Sequence, residues 1–319
     1  GINLESDVAK PLITPYSKGE AGRRYYQDAA IRAVLEKIAT GQNRALLTLA
    51  TGAGKTYIAV NLLKRIADSG QLRRALFLCD RDELRSQGLG AFQDEFGSDA
   101  AAASTNNPEK NARLLVATYQ TLGVDTEDGD ASFLTKNYPE NYFSHIIIDE
   151  CHRSAWGKWS EVLNRNSDAV QVGLTATPRA FEYTEDTEAS KDDQQITSDN
   201  VKYFGEPVYE YSIGQGIEDG YLAAMQIVRS NTFINRNADS ERETGLRRID
   251  LEGTTISDAI TGEEISPDEV SDQYSAGSFE SHVLLPERVE AWCRSLFEYL
   301  VSGGKPEQKT IIFCVLIKH

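Results

Sequence analysis

Five short apolar runs, each too brief for a helix, set the tightest limit on what this chain can fold into: "ALLTLA" (45–50), "ALFLCD" (75–80), "RLLVAT" (113–118), "HIIID" (145–149) and "VQVGLTA" (170–176). Helical patterns separate several of them. Ile31, Val34, Leu35 and Ile38 recur with the period of one helix face before Gly41, and Ile58, Leu62, Leu63 and Ile66 do the same before Gly70. A strand that is apolar at every residue has no side to give to water, so such strands belong in a parallel sheet covered on both faces. The expected fold class is α/β, with a mainly parallel sheet under helices.

The 319 residues, 40% of them apolar, can fill a substantial core. Cys79, Cys151, Cys293 and Cys314 stand far apart without a CxxC pair, which argues against a disulfide framework or a structural zinc. No run approaches the ~18 apolar residues of a membrane span, and the opening "GINLESDVAK" lacks the apolar stretch of a signal peptide. The expectation is a reduced, cytoplasmic protein without a membrane partner. The net charge of −16 speaks at first against nucleic acid, whose phosphates call for Lys and Arg. Its distribution weakens that objection. Residues 181–200 hold seven acids and one base, and residues 239–272 eleven acids and three bases, so 14 of the 16 excess charges lie in these two stretches. Both are poor in large apolar residues, and they read as acidic surface insertions or mobile loops.

The run "ALLTLA" leads into "TGAGKT", Thr51-Gly52-Ala53-Gly54-Lys55-Thr56, and then into a helical pattern. In that setting glycines let backbone N–H groups turn toward phosphate oxygens, Lys55 reaches the β and γ phosphates, and Thr56 offers a hydroxyl to Mg²⁺. The first glycine of the P-loop pattern GxxxxGK[ST] falls here on Leu49. A second constellation, "HIIIDECHRS", ends an apolar run on Asp149-Glu150 and continues into Cys151-His152. Zinc ligation and a Cys151 nucleophile are both conceivable, but no further ligand stands at metal-site spacing and no base is assignable to the thiol. A P-loop enzyme needs an acid at a strand end to hold hydrated Mg²⁺ and a second group to orient the attacking water, and Asp149 and Glu150 supply that pair. Trp156 and Trp159, three residues apart just beyond, read as core packing rather than base stacking.

With "TGAGKT", "DECH" and "TATP" (175–178) in this order, the chain resembles superfamily 2 helicases and translocases at motifs I, II and III. "RRYYQ" (23–27) is similar to the adenine-reading Q motif, "CDRDELRSQ" (79–87) to motif Ia and "VATYQTL" (116–122) to motif Ib. Finer features, "RYYQDAAI", "DECHRS" and "YFGEPVYEYSIGQGIEDGYLAAMQIV" (203–228), resemble the R subunit of type I restriction enzymes. The resemblance implies a RecA-like P-loop domain followed by the beginning of a second RecA-like domain, with ATP and Mg²⁺ as cofactors. It implies adenine contacts from Arg24 and Gln27, phosphate and Mg²⁺ contacts from Lys55 and Thr56, Asp149 on the Mg²⁺ water shell and Glu150 on the attacking water. His152, Thr175 and Thr177 would couple the nucleotide state to the grip on nucleic acid, and Arg81, Thr118 and Gln120 would touch its backbone. The implied partners are double-stranded DNA and the methylation and specificity subunits of a type I complex.

The domain division expected on this basis is a lead-in over 1–22, a first motor domain over 23–225 and the start of a second over 226–319. In the latter, "MQIVRS" reads as a strand, Pro286 opens a helix with Val289, Trp292, Cys293, Leu296 and Leu300 on one face before Gly303-Gly304, and "KTIIFCVLI" reads as a buried strand. No D…ExK nuclease pattern precedes Arg24, and no QxxGRxxR segment follows. The expectation is therefore a DNA-translocating ATPase region whose isolated 319 residues bind ATP and hydrolyse it slowly. A repair or remodelling helicase and a nucleotide-gated binding module without turnover are the alternatives.

Overall fold

The computed structural model describes residues 2–15, 24–79, 82–104, 106–122, 132–149, 151, 162–176, 200–225, 246–247, 251, 253–274, 282–303, 307 and 309–312. The chain divides into two compact units, Gly1–Met225 and Gln226–His319.

In the first unit the elements run α1 (Lys10–Ile13), α2 (Tyr25–Ala39), β1 (Arg44–Leu49), α3 (Lys55–Asp68), β2 (Ala75–Cys79), α4 (Asp82–Phe96), β3 (Ala100–Ala102), β4 (Leu114–Thr118), α5 (Tyr119–Leu122), α6 (Ser132–Asn137), β5 (His145–Ile148), β6 (Val170–Thr175), β7 (Tyr209–Tyr211) and α7 (Ile213–Glu218). All five apolar runs are strands, and they pair in parallel in one seven-stranded sheet of order β3-β4-β2-β5-β6-β1-β7. This is the parallel, helix-covered α/β arrangement expected from the sequence.

The continuous apolarity of the strands has a direct structural cause. Successive side chains of a strand point to opposite faces. Ala45, Leu47 and Leu49 of β1, Ala75, Phe77 and Cys79 of β2, and Ile147 of β5 pack into one core with α2 and α3. Leu46, Leu76, Leu78, Ile146 and Ile148 point the other way, into a second core with Tyr119, Leu134, Tyr138 and Phe143. Gly173 of β6 shows how tightly that second face is filled: a Cβ there would lie 3.0 Å from Phe204, 3.1 Å from Leu46 and 3.2 Å from the Cys151 sulfur. Both helices foreseen at Ile31 and Ile58 form, and Gly41 (φ +87°) and Gly70 (φ +82°) follow them in the left-handed conformation that glycine adopts without strain.

The second unit contains β8 (Leu246–Arg247) paired antiparallel with β10 (Gln273–Tyr274), β9 (Ser257–Asp258) paired antiparallel with β11 (Val283–Leu284), and α8 (Pro286–Ser302). Two expectations need correction, and others fall outside the described residues. The second acidic stretch is not only a surface loop, because Leu251, Ile256 and Val270 within it join Val283 and Leu285 in a small buried cluster. The scattered apolar residues find each other through turns, and Asp258 accepts the N–H groups of Ile260 and Thr261 at one of them. Residues 309–312 of "KTIIFCVLI" form no strand, and Ile311 and Ile312 are 80% and 65% exposed. A strand needs a neighbour to take up its backbone N–H and C=O groups, and among the described residues none lies alongside. The rest of that run, "MQIVRS" beyond Met225, residues 181–199, and Trp156 and Trp159 lie outside the described residues.

Candidate nucleotide-binding site

The loop after β1 is built by two glycines that only a residue without Cβ could replace cheaply. Gly52 (φ +83°) and Gly54 (φ +85°) are both left-handed, and a Cβ on Gly54 would sit 2.7 Å from Nε2 of Gln27. Between them Ala53 is fully buried and closes a turn, its N–H donating to Ala50 O at 3.0 Å. The helix α3 begins at Lys55 with Gly54 as its N-cap, which provides no side-chain cap, and no acid stands in its first turn. The first N–H groups of a helix have no intrahelical acceptor, and the helix dipole makes that end positive, so the loop is arranged to receive an anion. Lys55 is 8% exposed, Thr56 is half-buried, and Thr51 and Gly52 are exposed.

The segment Arg24–Gln27 is fastened to this loop. The Ala53 carbonyl accepts two hydrogen bonds, from the Tyr26 hydroxyl at 2.7 Å and from Gln27 Nε2 at 3.1 Å. Gln27 Oε1 accepts the Arg24 backbone N–H at 3.4 Å, so the two ends of the Gln27 amide are told apart by their partners. Arg24 Nη1 donates to the Tyr26 hydroxyl at 3.0 Å, and its guanidinium lies 5.2 Å from the centre of the Tyr221 ring. Gln27 is the third residue of α2, so the helix start sets its distance from the loop.

The order of the strands places the remaining candidates along one rim. Asp149, 5% exposed, follows β5, and its N–H donates to Leu78 O at 2.8 Å. Thr175, 5% exposed, ends β6, which lies between β5 and β1. With neighbouring strands about 4.8 Å apart, the ends of β5 and β1 stand roughly 10 Å from each other across Thr175. These are the carboxyl ends of parallel strands, where α/β sheets bind ligands. Thr118 ends β4, four strand positions from β1 and so roughly 19 Å along the same rim. Its side chain is buried and turned inward, with Oγ1 accepting the Thr121 N–H at 3.2 Å and 3.0 Å from Thr121 Oγ1, whereas Gln120 is exposed. Glu150, His152, Thr177 and Arg81 lie outside the described residues.

Cys151 is fully buried, its N–H bonded to Leu174 O at 3.0 Å and its sulfur packed toward Gly173. Among the described residues no group of three His, Cys, Asp or Glu side chains is placed to hold a metal, and no helix is long and apolar enough to cross a membrane.

Sequence reasoning passed over a group that the structure sets against the loop. The Tyr211 ring stacks on Tyr26 with centroids 3.8 Å apart at 13°, Tyr25 and Tyr211 both donate to Asp219, and Leu222 meets the loop at Gly52. "YEYSIGQGIEDGYL" carried a family resemblance, but its contact with residues near position 25 has no local signal.

Residues 20–180 match the family model described as type III restriction enzyme, res subunit. The chain is 36% identical to the type I restriction enzyme EcoAI endonuclease subunit of Escherichia coli over 97% of its own length and 35% of that protein's. It is 31% identical to the EcoKI endonuclease subunit of E. coli strain K12 over 94% of its length and 25% of the relative's. The chain thus spans about a third or less of these curated relatives. A solved fragment described as an HsdR subunit of a type I restriction enzyme from Vibrio vulnificus YJ016 is 30% identical with a TM-score of 0.49, over 68% of this chain and 35% of that one. A family model that takes in half of the chain, including the loop and the acid at the end of β5, settles membership: this chain belongs to the restriction-enzyme res subunit family, and curated relatives similar to it are type I endonuclease subunits.

Proposed function

We propose that this chain is the ATP-driven motor part of a type I restriction enzyme subunit, which uses ATP hydrolysis to move double-stranded DNA before cleavage. The observation that carries the reading is the loop itself: two left-handed glycines feed a helix that opens on buried Lys55 with no acid in its first turn, with buried Asp149 on the same rim. Backbone N–H groups and Lys55 would hold the phosphates. Thr56 and Asp149 offer a hydroxyl and a carboxylate, hard oxygen donors that suit Mg²⁺, which when bound would screen the phosphate charge. Gln27 keeps one amide hydrogen and one lone pair beyond its two bonds, the pairing that the N7 and N6 edge of adenine requires. Arg24 would lie beside it. Glu150 would orient the attacking water, and His152, Thr175 and Thr177 would link the nucleotide state to DNA contacts at Arg81, Thr118 and Gln120. In this reading residues 23–225 form the first motor domain and 226–319 open the second, and the partners are DNA and the methylation and specificity subunits.

Calorimetry with ATP and Mg²⁺ tests the base of this reading. Wild-type chain should bind, and Lys55→Ala should weaken binding by roughly 10- to 100-fold, the range for losing hydrogen bonds to charged groups. Equal affinities would overturn it.

A further inference from the structure

One carboxylate in the first unit makes more contacts than an exposed acid needs. Asp219 follows α7, and its Oδ2 accepts both the Tyr25 hydroxyl at 2.6 Å and the Tyr211 hydroxyl at 2.8 Å. The two tyrosines come from opposite ends of the unit's sequence: Tyr25 opens α2, and Tyr211 ends β7. From each, a short physical path runs to the phosphate loop. The Tyr211 carbonyl accepts the N–H of Ala50, at the root of the loop, at 2.9 Å, and the Tyr211 ring stacks on Tyr26, whose hydroxyl bonds to Ala53 O. Tyr25 adjoins Tyr26 and Gln27 on the first turn of α2. The fixture around Asp219 is specific in shape. A Cβ on Gly216 would lie 2.5 Å from Leu222 Cδ1, while Leu222 Cδ2 would lie 3.3 Å from a Cβ on Gly52, so the turn after α7 closes directly onto the loop.

We propose that Asp219 is a positioning residue for nucleotide-base recognition, its carboxylate clamping Tyr25 and Tyr211 so that Tyr26 and Gln27 are held in register with the phosphate loop. This rests on the nucleotide-site reading above. Asp219 touches no phosphate in this scheme. Its effect travels through the tyrosines to the base-facing segment. The Tyr25 hydroxyl is correspondingly held protonated, its pKa pushed up to about 12, chiefly by the hydrogen bond to Asp219.

The scheme separates the base from the phosphates, and the experiment reads them apart. Affinities of the full chain for ATP, GTP and inorganic triphosphate, each with Mg²⁺, are measured for wild type, Asp219→Ala, Asp219→Asn and Tyr25→Phe. Loss of a hydrogen-bonded clamp should weaken ATP about fivefold in Asp219→Ala and move the ATP-to-GTP ratio toward one, with inorganic triphosphate within about twofold. Asp219→Asn keeps an acceptor oxygen for the hydroxyls and should restore most of the ATP preference. Tyr25→Phe removes one hydroxyl from a residue 51% exposed, so it carries the test even where Asp219→Ala folds poorly, with a smaller shift of the same sign. An unchanged ATP-to-GTP ratio in both Asp219→Ala and Tyr25→Phe would overturn the proposal. So would an equal loss of inorganic triphosphate, which would mark Asp219 as a general brace. Lys55→Ala separates this from the parent reading: if that variant binds ATP as wild type does, the site itself is misassigned, whatever the Asp219 variants show.

Discussion

The two units of this chain use apolar residues in opposite ways. In Gly1–Met225, strands β2, β4 and β5 are buried at every residue, and two cores fill the two faces of one sheet. In Gln226–His319 the described apolar burial comes down to Ala259 and a cluster of Leu251, Ile256, Val270, Val283 and Leu285 with Ile265 beside it, next to ladders two residues long. The helix α8 has no buried residue. Its expected face of Val289, Trp292, Leu296 and Leu300 is half-buried, Cys293 is exposed, and Phe297 is 61% exposed. A parallel sheet must cover both faces to exist, whereas short antiparallel pairs can close around one small cluster. The difference teaches where a precise site can stand. The loop after β1 and Asp149 hang from strand ends that the double core holds fixed, a rigidity the small cluster does not supply.

Cavities give the hardest test of that contrast. Ile147→Ala, at the centre of the sheet, should destabilise the first unit by about 4 kcal/mol and reduce nucleotide binding as it unfolds. Ile256→Ala in the small cluster, which can collapse around the gap, should cost about half as much and leave nucleotide affinity unchanged. Denaturant unfolding followed beside ATP binding reads both. Equal costs, or binding lost with Ile256→Ala, would break the comparison.

Next in size is a pH effect confined to the first unit. His145 opens β5 at 8% exposure, with Nδ1 3.0 Å from Ser144 Oγ. Burial pushes its pKa down to about 4, and the positive charge of Arg73 adds a smaller lowering. An unfolded chain takes up this proton near pH 6.5. The folded state binds fewer protons between those values, so the stability present above about 6.5 is lost as pH falls toward 4, by roughly 3 kcal/mol. His145→Gln should flatten that part of the pH dependence of the unfolding midpoint. A profile of unchanged slope would show that the imidazole is not held neutral by the fold.

The smallest effect should come from α8. Phe297→Ser, at an exposed position of a helix without buried residues, should shift stability by no more than about 0.5 kcal/mol, the usual range for surface substitutions. A cost several times larger in the unfolding midpoint would mean that this face is packed in solution, and the contrast between the units would narrow.

Much of the candidate site's local geometry was legible in the sequence. "TGAGKT" between an apolar run and a helical period located a glycine-built loop at the start of a helix, because left-handed turns demand glycine at fixed local spacing. Asp149 was found from the end of its strand. Thr118, expected among the residues that would touch the nucleic-acid backbone, ends β4 with its side chain buried against Thr121, a bond that depends on the start of α5 and has no local signal. The clamp of Tyr25, Tyr211 and Asp219 was missed because the hydrogen bond from Tyr25 to Asp219 spans 194 positions.

By itself the sequence determined the five apolar strands of the sheet, the helices on either side of β1, the two-sided burial of the sheet and the glycine-built loop that opens α3, since each is encoded within a few residues by period or glycine placement. Only the tertiary structure decided that β7 pairs with β1, and hence that Tyr211, Asp219 and Leu222 stand against the loop and α2. The reason is physical: strand neighbours are chosen by how crossovers pack whole helices on the sheet, so a contact made through them leaves no mark in the local pattern of either partner.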